Sequence, residues 1–226
     1  MVDGVVYAFF ADDTAFLAAD KDPAQIVTKL QHAQNNLESY QRKWRIKVNA
    51  TKSQTVFFTK KRAARNLPRT AITTNGQPSN WEDDGKYLGV ILDSKLTFAK
   101  HVNYSIDKLD KTIRCLYSLI NRRWKLAVKN KALIFKCVLR PLMTYGSPVW
   151  GKCAKSHRAR LQVKQNKLLK MIYGLDPFFP TSELHRLSNT ELIDDFIERS
   201  TRTFVTSCQM SANPLIEVLA NQPLWS

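Results

Sequence analysis

Val5-Val6-Tyr7-Ala8-Phe9-Phe10-Ala11-Asp12-Asp13-Thr14-Ala15-Phe16-Leu17-Ala18-Ala19 decides how the first half of this chain is read. The opening six residues are β-branched, aromatic or small, as strands prefer, and they run into the turn signal Ala11-Asp12-Asp13. A second apolar run follows at once, so strand, acidic turn and strand predict a hairpin. Almost wholly apolar flanks predict strands buried on both faces, with two carboxylates at the tip. Paired aspartates in a turn ordinarily do turn chemistry, because their short side chains bond nearby backbone N–H groups. The competing reading is a site for a hard cation. Mg²⁺ takes oxygen ligands while keeping waters and substrate phosphates, and two such ions can clamp an in-line phosphoryl displacement.

Working outward, Asp22-Pro23 places a capping side chain and a first-turn proline before a helix. Ile26, Leu30, Ala33, Leu37, Tyr40 and Trp44 recur at steps of three or four and form its apolar stripe. Strand-like pieces are expected at 46–48, 54–59 and 71–74, with a tight turn at Asn75-Gly76 and a last strand over Tyr87-Leu88-Gly89-Val90-Ile91-Leu92. From about His101 the period becomes helical, with Val102, Ile106, Leu109, Ile113, Leu116 and Ile120 on one stripe. Further helices are expected from about Asn130, kinked or ended at Pro141, over 158–173 with Gly174 beyond its end, and from near Thr190. The expected class is therefore α+β: a sheet-forming part over 1–98 and a helical part over 99–226, with the boundary near 96–100.

Charge narrows the function classes. Thirty-five Lys and Arg against 19 Asp and Glu leave +16 on 226 residues. No acid falls between Glu38 and Glu82, where ten basic residues do, nor between Asp110 and Asp176, where sixteen do. Such windows suit a phosphate polyanion, because each neutralised phosphate releases a condensed counterion. A solvated basic face and an anionic membrane surface are the rival readings; lipid more often attracts shorter clusters. No apolar run approaches the ~18 residues of a membrane span, and no leader-like start is seen, so an intracellular protein of nucleus or cytoplasm is expected. Cys115, Cys137, Cys153 and Cys208 include no CxxC pair. Cys153 and His157, even with His185, fall short of a four-ligand zinc set, and reduced, partly buried thiols are expected.

Phe10-Ala11-Asp12-Asp13 resembles the Y/F-x-D-D motif of reverse transcriptases. The segment Ile46-Lys47-Val48-Asn49-Ala50-Thr51-Lys52-Ser53 resembles the motif that follows it, and Tyr87-Leu88-Gly89-Val90 resembles the primer-gripping hairpin. Leu139-Arg140-Pro141, Thr144-Tyr145-Gly146 and Val149-Trp150-Gly151 are similar to the "RP…TYG…VWG" segment of jockey-type non-LTR retrotransposons. The match runs from about residue 5 to the end of the chain, and the order of motifs carries more weight than any one of them. The resemblance implies a partial polymerase palm followed by a helical thumb, the C-terminal part of an RNA-directed DNA polymerase.

It further implies that Asp12 ligates catalytic Mg²⁺ (or Mn²⁺), that Asp13 supports the metal, and that Phe10, Lys52, Tyr87, Leu88 and Gly89 meet nucleotide or primer. Arg122, Arg123, Lys125, Lys129 and Lys136 would hold the backbone of an RNA–DNA duplex without reading bases. Lys52 as a surface lysine and Trp124 and Trp150 as core aromatics are the plainer alternatives. In that family another catalytic aspartate lies upstream of the acidic turn. Its absence here leads to the expectation that the isolated chain polymerises little or nothing. A nucleic-acid-binding module without catalysis, used by a host or left as a remnant, is the alternative.

Overall fold

The computed structural model describes residues 2–46, 49, 52–60, 71–121, 123–213 and 216. Two compact units divide at Leu96 and Thr97.

In the first unit, β1 (Val5–Phe10) and β2 (Asp13–Ala18) form an antiparallel hairpin whose register runs from Val5 opposite Ala18 to Phe10 opposite Asp13. Tyr7 and Phe16, directly opposed, meet edge to face at 5.1 Å. α1 (Pro23–Trp44) packs against this hairpin. The Asp22 side chain accepts from the Ala24 N–H at 3.0 Å, Pro23 fills the first turn, and Arg45 closes the helix in the left-handed region. The expected burial of the hairpin on both faces does not occur. Val6, Leu17, Phe9 and Phe10 are 57–63% exposed, because α1 is a single helix and covers only part of a two-stranded ribbon. Tyr40 and Trp44, expected on the packed stripe of α1, are also more than half exposed.

The remaining strands are short. β3 (Gln54–Val56) pairs in parallel with β6 (Asn80–Glu82), β4 (Thr73–Thr74) pairs with β5 (Gln77–Pro78), and β7 (Asp84–Tyr87) pairs with β8 (Val90–Asp93). With the first hairpin these make four two-stranded sheets among the described residues. The single strand expected over residues 87–92 is a hairpin, because Leu88 (φ 45°) and Gly89 (φ 84°) form a two-residue turn between Tyr87 and Val90. Positive φ at both central positions is the type I′ pattern, whose twist matches that of paired strands. Asn75 and Gly76 make the same turn between β4 and β5. Lys47 and Val48, from the strand expected at 46–48, lie outside the described residues.

The second unit is helical: α2 (Ala99–Ile120), α3 (Val128–Ile134), a π-helical turn (Phe135–Leu139), α4 (Arg140–Thr144), α5 (Ser147–Trp150), α6 (Lys155–Tyr173), α7 (Thr181–Ser188) and α8 (Ile193–Gln209). The expected break at Pro141 takes a particular form. A proline has no N–H and its ring would strike the carbonyl four residues back, at Cys137. The helix instead widens before it, with the Arg140 N–H donating to the Phe135 carbonyl, and continues to Thr144. Gly174 ends α6 at φ 65°, as expected. α7 had no counterpart in the sequence reading.

Val102, Leu109, Phe135, Leu139, Met143, Trp150, Leu161, Leu169, Leu184 and Ile193 are fully buried, so this unit has a continuous core. In the first unit only Ala33, Ile72 and Val90 are buried apolar side chains among the described residues.

Candidate active site

Asp12 and Asp13 stand at the tip of the first hairpin because Ala11 and Asp12 are the two loop residues between the Phe10–Asp13 pair. Ala11 has φ 51°, where an L residue loses roughly 1–2 kcal/mol and glycine is the usual occupant. Both aspartates are exposed. Two adjacent, solvent-facing carboxylates suit Mg²⁺, which is held by one or two carboxylates and keeps waters and phosphate oxygens as its other ligands. Among the described residues no group of three His, Cys, Asp or Glu adds a further donor. Among the described residues the donor set is this pair, which fits the ion without enclosing it.

Phe10, beside the turn, is 62% exposed. Lys52 is exposed in a short turn, where its backbone N–H donates to the Asn49 carbonyl at 3.1 Å. Tyr87, Leu88 and Gly89 stand together at the β7–β8 turn, and strand β7 packs with β3. No backbone ladder among the described strands joins that hairpin to the acidic one. The two turns share a feature that composition does not reveal. Ala11 and Leu88 both hold positive φ without being glycine, asparagine or aspartate. Strain of that kind persists only where the surroundings enforce it, and it collects at functional turns.

The helical unit carries 21 of the 35 Lys and Arg against 9 of the 19 acids, so +12 of the +16 lies there. Arg123, Lys125 and Lys129 are exposed, which suits a phosphate-facing role, whereas Arg122 lies outside the described residues. Lys136 is half-buried and reaches the Asn189 carbonyl at 3.5 Å. Lys131 was not separated from these by sequence, yet it is only 3% exposed. Its Nζ donates to the carbonyls of Asn121 at 2.7 Å and Trp124 at 3.0 Å, tying down the loop that bears Arg123 and Lys125. No pattern of charge would single it out. Trp150 is core, with its indole N–H donating to the Tyr145 carbonyl at 2.7 Å. Trp124, expected in the core, is 54% exposed beside the basic loop.

Arg158 is structural. Its guanidinium donates to the carbonyls of Gly151 and Cys153 and to the Asp194 carboxylate, linking the end of α5 to α8. Burial raises the Cys153 thiol pKa, while Cys115 and Cys137 are exposed rather than partly buried.

Three relatives from flies align with most of the chain. It is 34% identical over 196 residues to the probable RNA-directed DNA polymerase from transposon X-element of Drosophila melanogaster, covering 86% of this chain and 21% of that protein. The RNA-directed DNA polymerase from mobile element jockey of Drosophila melanogaster is 28% identical over 217 residues, 96% of this chain and 23% of the relative. Its namesake in Drosophila funebris is 32% identical over 180 residues, 80% of this chain and 19% of the relative. The chain thus spans about a fifth of the length of these relatives. No protein-family model and no solved structure matches it.

Proposed function

Because this chain belongs to the RNA-directed DNA polymerases of jockey-type non-LTR retrotransposons, we propose that it supplies the metal-binding turn and a duplex-holding helical unit to RNA-templated DNA synthesis. The observation that carries this reading is the strained hairpin that presents Asp12 and Asp13, consecutive and exposed, at its tip. In the α+β arrangement we infer, the first unit is part of a polymerase palm and the second its thumb.

Bound Mg²⁺ would neutralise charge on a nucleotide's α-phosphate and on the primer 3′-oxygen while pyrophosphate leaves. The protein's own part is positional. Asp12 offers a carboxylate oxygen to the ion, Asp13 adds negative charge beside it, and the hairpin fixes both before substrate arrives. The Leu88-Gly89 turn brings backbone near the primer end, where the lack of a side chain at Gly89 permits close approach. Lys52 contributes a cation for the triphosphate. Arg122, Arg123, Lys125 and Lys129 neutralise duplex phosphates, a role that fixes position without reading sequence.

Two exposed carboxylates bind metal weakly, so the chain by itself is expected to extend no primer. A binding-only module is the alternative, favoured by the charge of the helical unit, which is independent of the hairpin. Manganese titration followed by NMR separates the two. Paramagnetic broadening centred on residues 10–14, abolished in Asp12→Ala, is the expected outcome. Broadening that ignores this hairpin, or survives the substitution, contradicts metal binding at Asp12.

A further inference from the structure

α8 approaches the start of α4 through one aromatic ring. The Arg140 guanidinium carbon lies 4.3 Å from the centre of the Phe196 ring, and that of Arg199 lies 5.0 Å from the same ring. Each contact is a favourable cation–π pair. Together they hold two like charges around one side chain, an arrangement with an electrostatic penalty unless an anion is near. Glu191 is the acid at hand, and it is engaged with Arg199, whose Nε donates to both carboxylate oxygens at 3.2 and 3.1 Å. Arg140 is half-buried, and among the described residues no acceptor lies within hydrogen-bond distance of its guanidinium. Burial leads the causes that lower its pKa, with the neighbouring Arg199 adding to it and Glu191 opposing it. A planar fork of five N–H donors, partly withdrawn from water and left without an acceptor, is matched by a tetrahedral oxyanion, which it can grip through two parallel bonds. Lys136, one turn before Arg140, adds a third positive charge to the same stretch of helix.

We propose that Arg140 and Arg199, gathered on Phe196, form a phosphate-binding site on the helical unit, taking a backbone phosphate of the nucleic acid that this unit binds. The proposal rests on the nucleic-acid binding proposed above and goes beyond it. It assigns the grip to residues outside the exposed cations chosen from sequence, and it treats the Phe196 ring as the element that fixes the fork.

The test measures binding of the whole chain to an RNA–DNA duplex across a salt series, for wild type, Arg140→Gln, Arg140→Lys and Arg199→Gln. Arg202→Gln, whose partner Glu198 lies on the same helix, serves as the bystander control. One lost phosphate contact lowers the log–log salt slope by roughly 0.9. Arg140→Gln and Arg199→Gln are each expected to show that drop with affinity reduced about fivefold or more at low salt, Arg140→Lys a smaller loss, and Arg202→Gln none. A second arm asks whether inorganic phosphate or pyrophosphate raises the thermal midpoint of the wild type but not of Arg140→Gln.

Duplex binding by the wild type with unaltered slopes in the variants, and no anion effect, overturns the site and leaves the pair a packing device. No duplex binding by the wild type, together with an Arg140-dependent pyrophosphate effect, keeps the site, makes free phosphate its source and sinks the nucleic-acid reading. No binding of either kind sinks both. If Arg140→Gln does not fold, the Nε–H resonance of Arg140 in the wild type decides. It shifts when duplex or pyrophosphate is added, or it stays in place and the proposal fails.

Discussion

Leu88 holds φ 45° with a side chain that is 37% exposed, so a strained backbone is set against partial burial. Leu88→Gly is expected to leave stability unchanged or to raise it by up to about 1 kcal/mol, because relief of the left-handed backbone offsets glycine's greater unfolded-state freedom. Denaturant unfolding checks this, and a loss of 2 kcal/mol or more would show that Leu88 is held by packing instead. His101 presents the opposite case, a titratable group sealed in the helical core. It is 2% exposed, and its ring lies 5.5 Å from that of Trp150. Burial pushes its pKa below the ordinary 6.5, against a smaller upward pull from a hydrogen bond with the Tyr145 backbone. Above pH 6.5 the imidazole is neutral folded or unfolded. Below it the unfolded chain takes up a proton that the folded site resists, so stability falls as pH falls from 6.5 toward the depressed folded value. The slope from this group is at most about 1.4 kcal/mol per pH unit. Melting curves between pH 7.5 and 5 should show this decline, flattened in His101→Gln.

Elements in the second unit are joined at a few closely fitted points, and Gly151 is one. A methyl group there would lie 2.5 Å from Cγ2 of Ile197 and 2.6 Å from the Ser147 carbonyl oxygen, at an ordinary φ of −62°. Space, not conformation, demands glycine. Gly151→Ala is expected to force α5 and α8 apart and to lower stability by about 1–3 kcal/mol, read as a fall in the thermal midpoint. An unchanged midpoint would mean that the junction yields freely. α1 was legible because Asp22-Pro23 and an apolar stripe are local signals. The exposure of Tyr40 and Trp44 was not, since a stripe says which face is apolar but not whether anything covers it. The turn at Leu88-Gly89 has no local signal, because leucine is not a turn residue, and only the resemblance implied a hairpin there. α7 is not legible because it is eight residues long and presents only Leu184 as a buried apolar side chain. The π turn before Pro141 is one of two answers to the same steric conflict, and sequence does not choose between them.

At the scale of the molecule the two units differ in core and in charge. The first has a thin core and carries the acidic turn. The second is well packed and holds most of the positive charge. The acidic turn was legible because it is written in contiguous residues, and the family because several short motifs follow one another in order. The cations that the fold withdraws from solvent, Lys131 to anchor a loop and Arg140 beside Phe196, were not, because burial is a property of the assembled helices. The central claim is that Asp12 serves nucleotidyl transfer. The most direct measurement places this chain in the matching stretch of the Drosophila melanogaster jockey polymerase and follows DNA synthesis on an RNA template with Mg²⁺. The chimera is expected to synthesise DNA, and Asp12→Ala within it is expected to reduce the rate by about 10²-fold or more. Synthesis by the chimera that is unaffected by Asp12→Ala would contradict the assignment of this hairpin as the metal-binding turn.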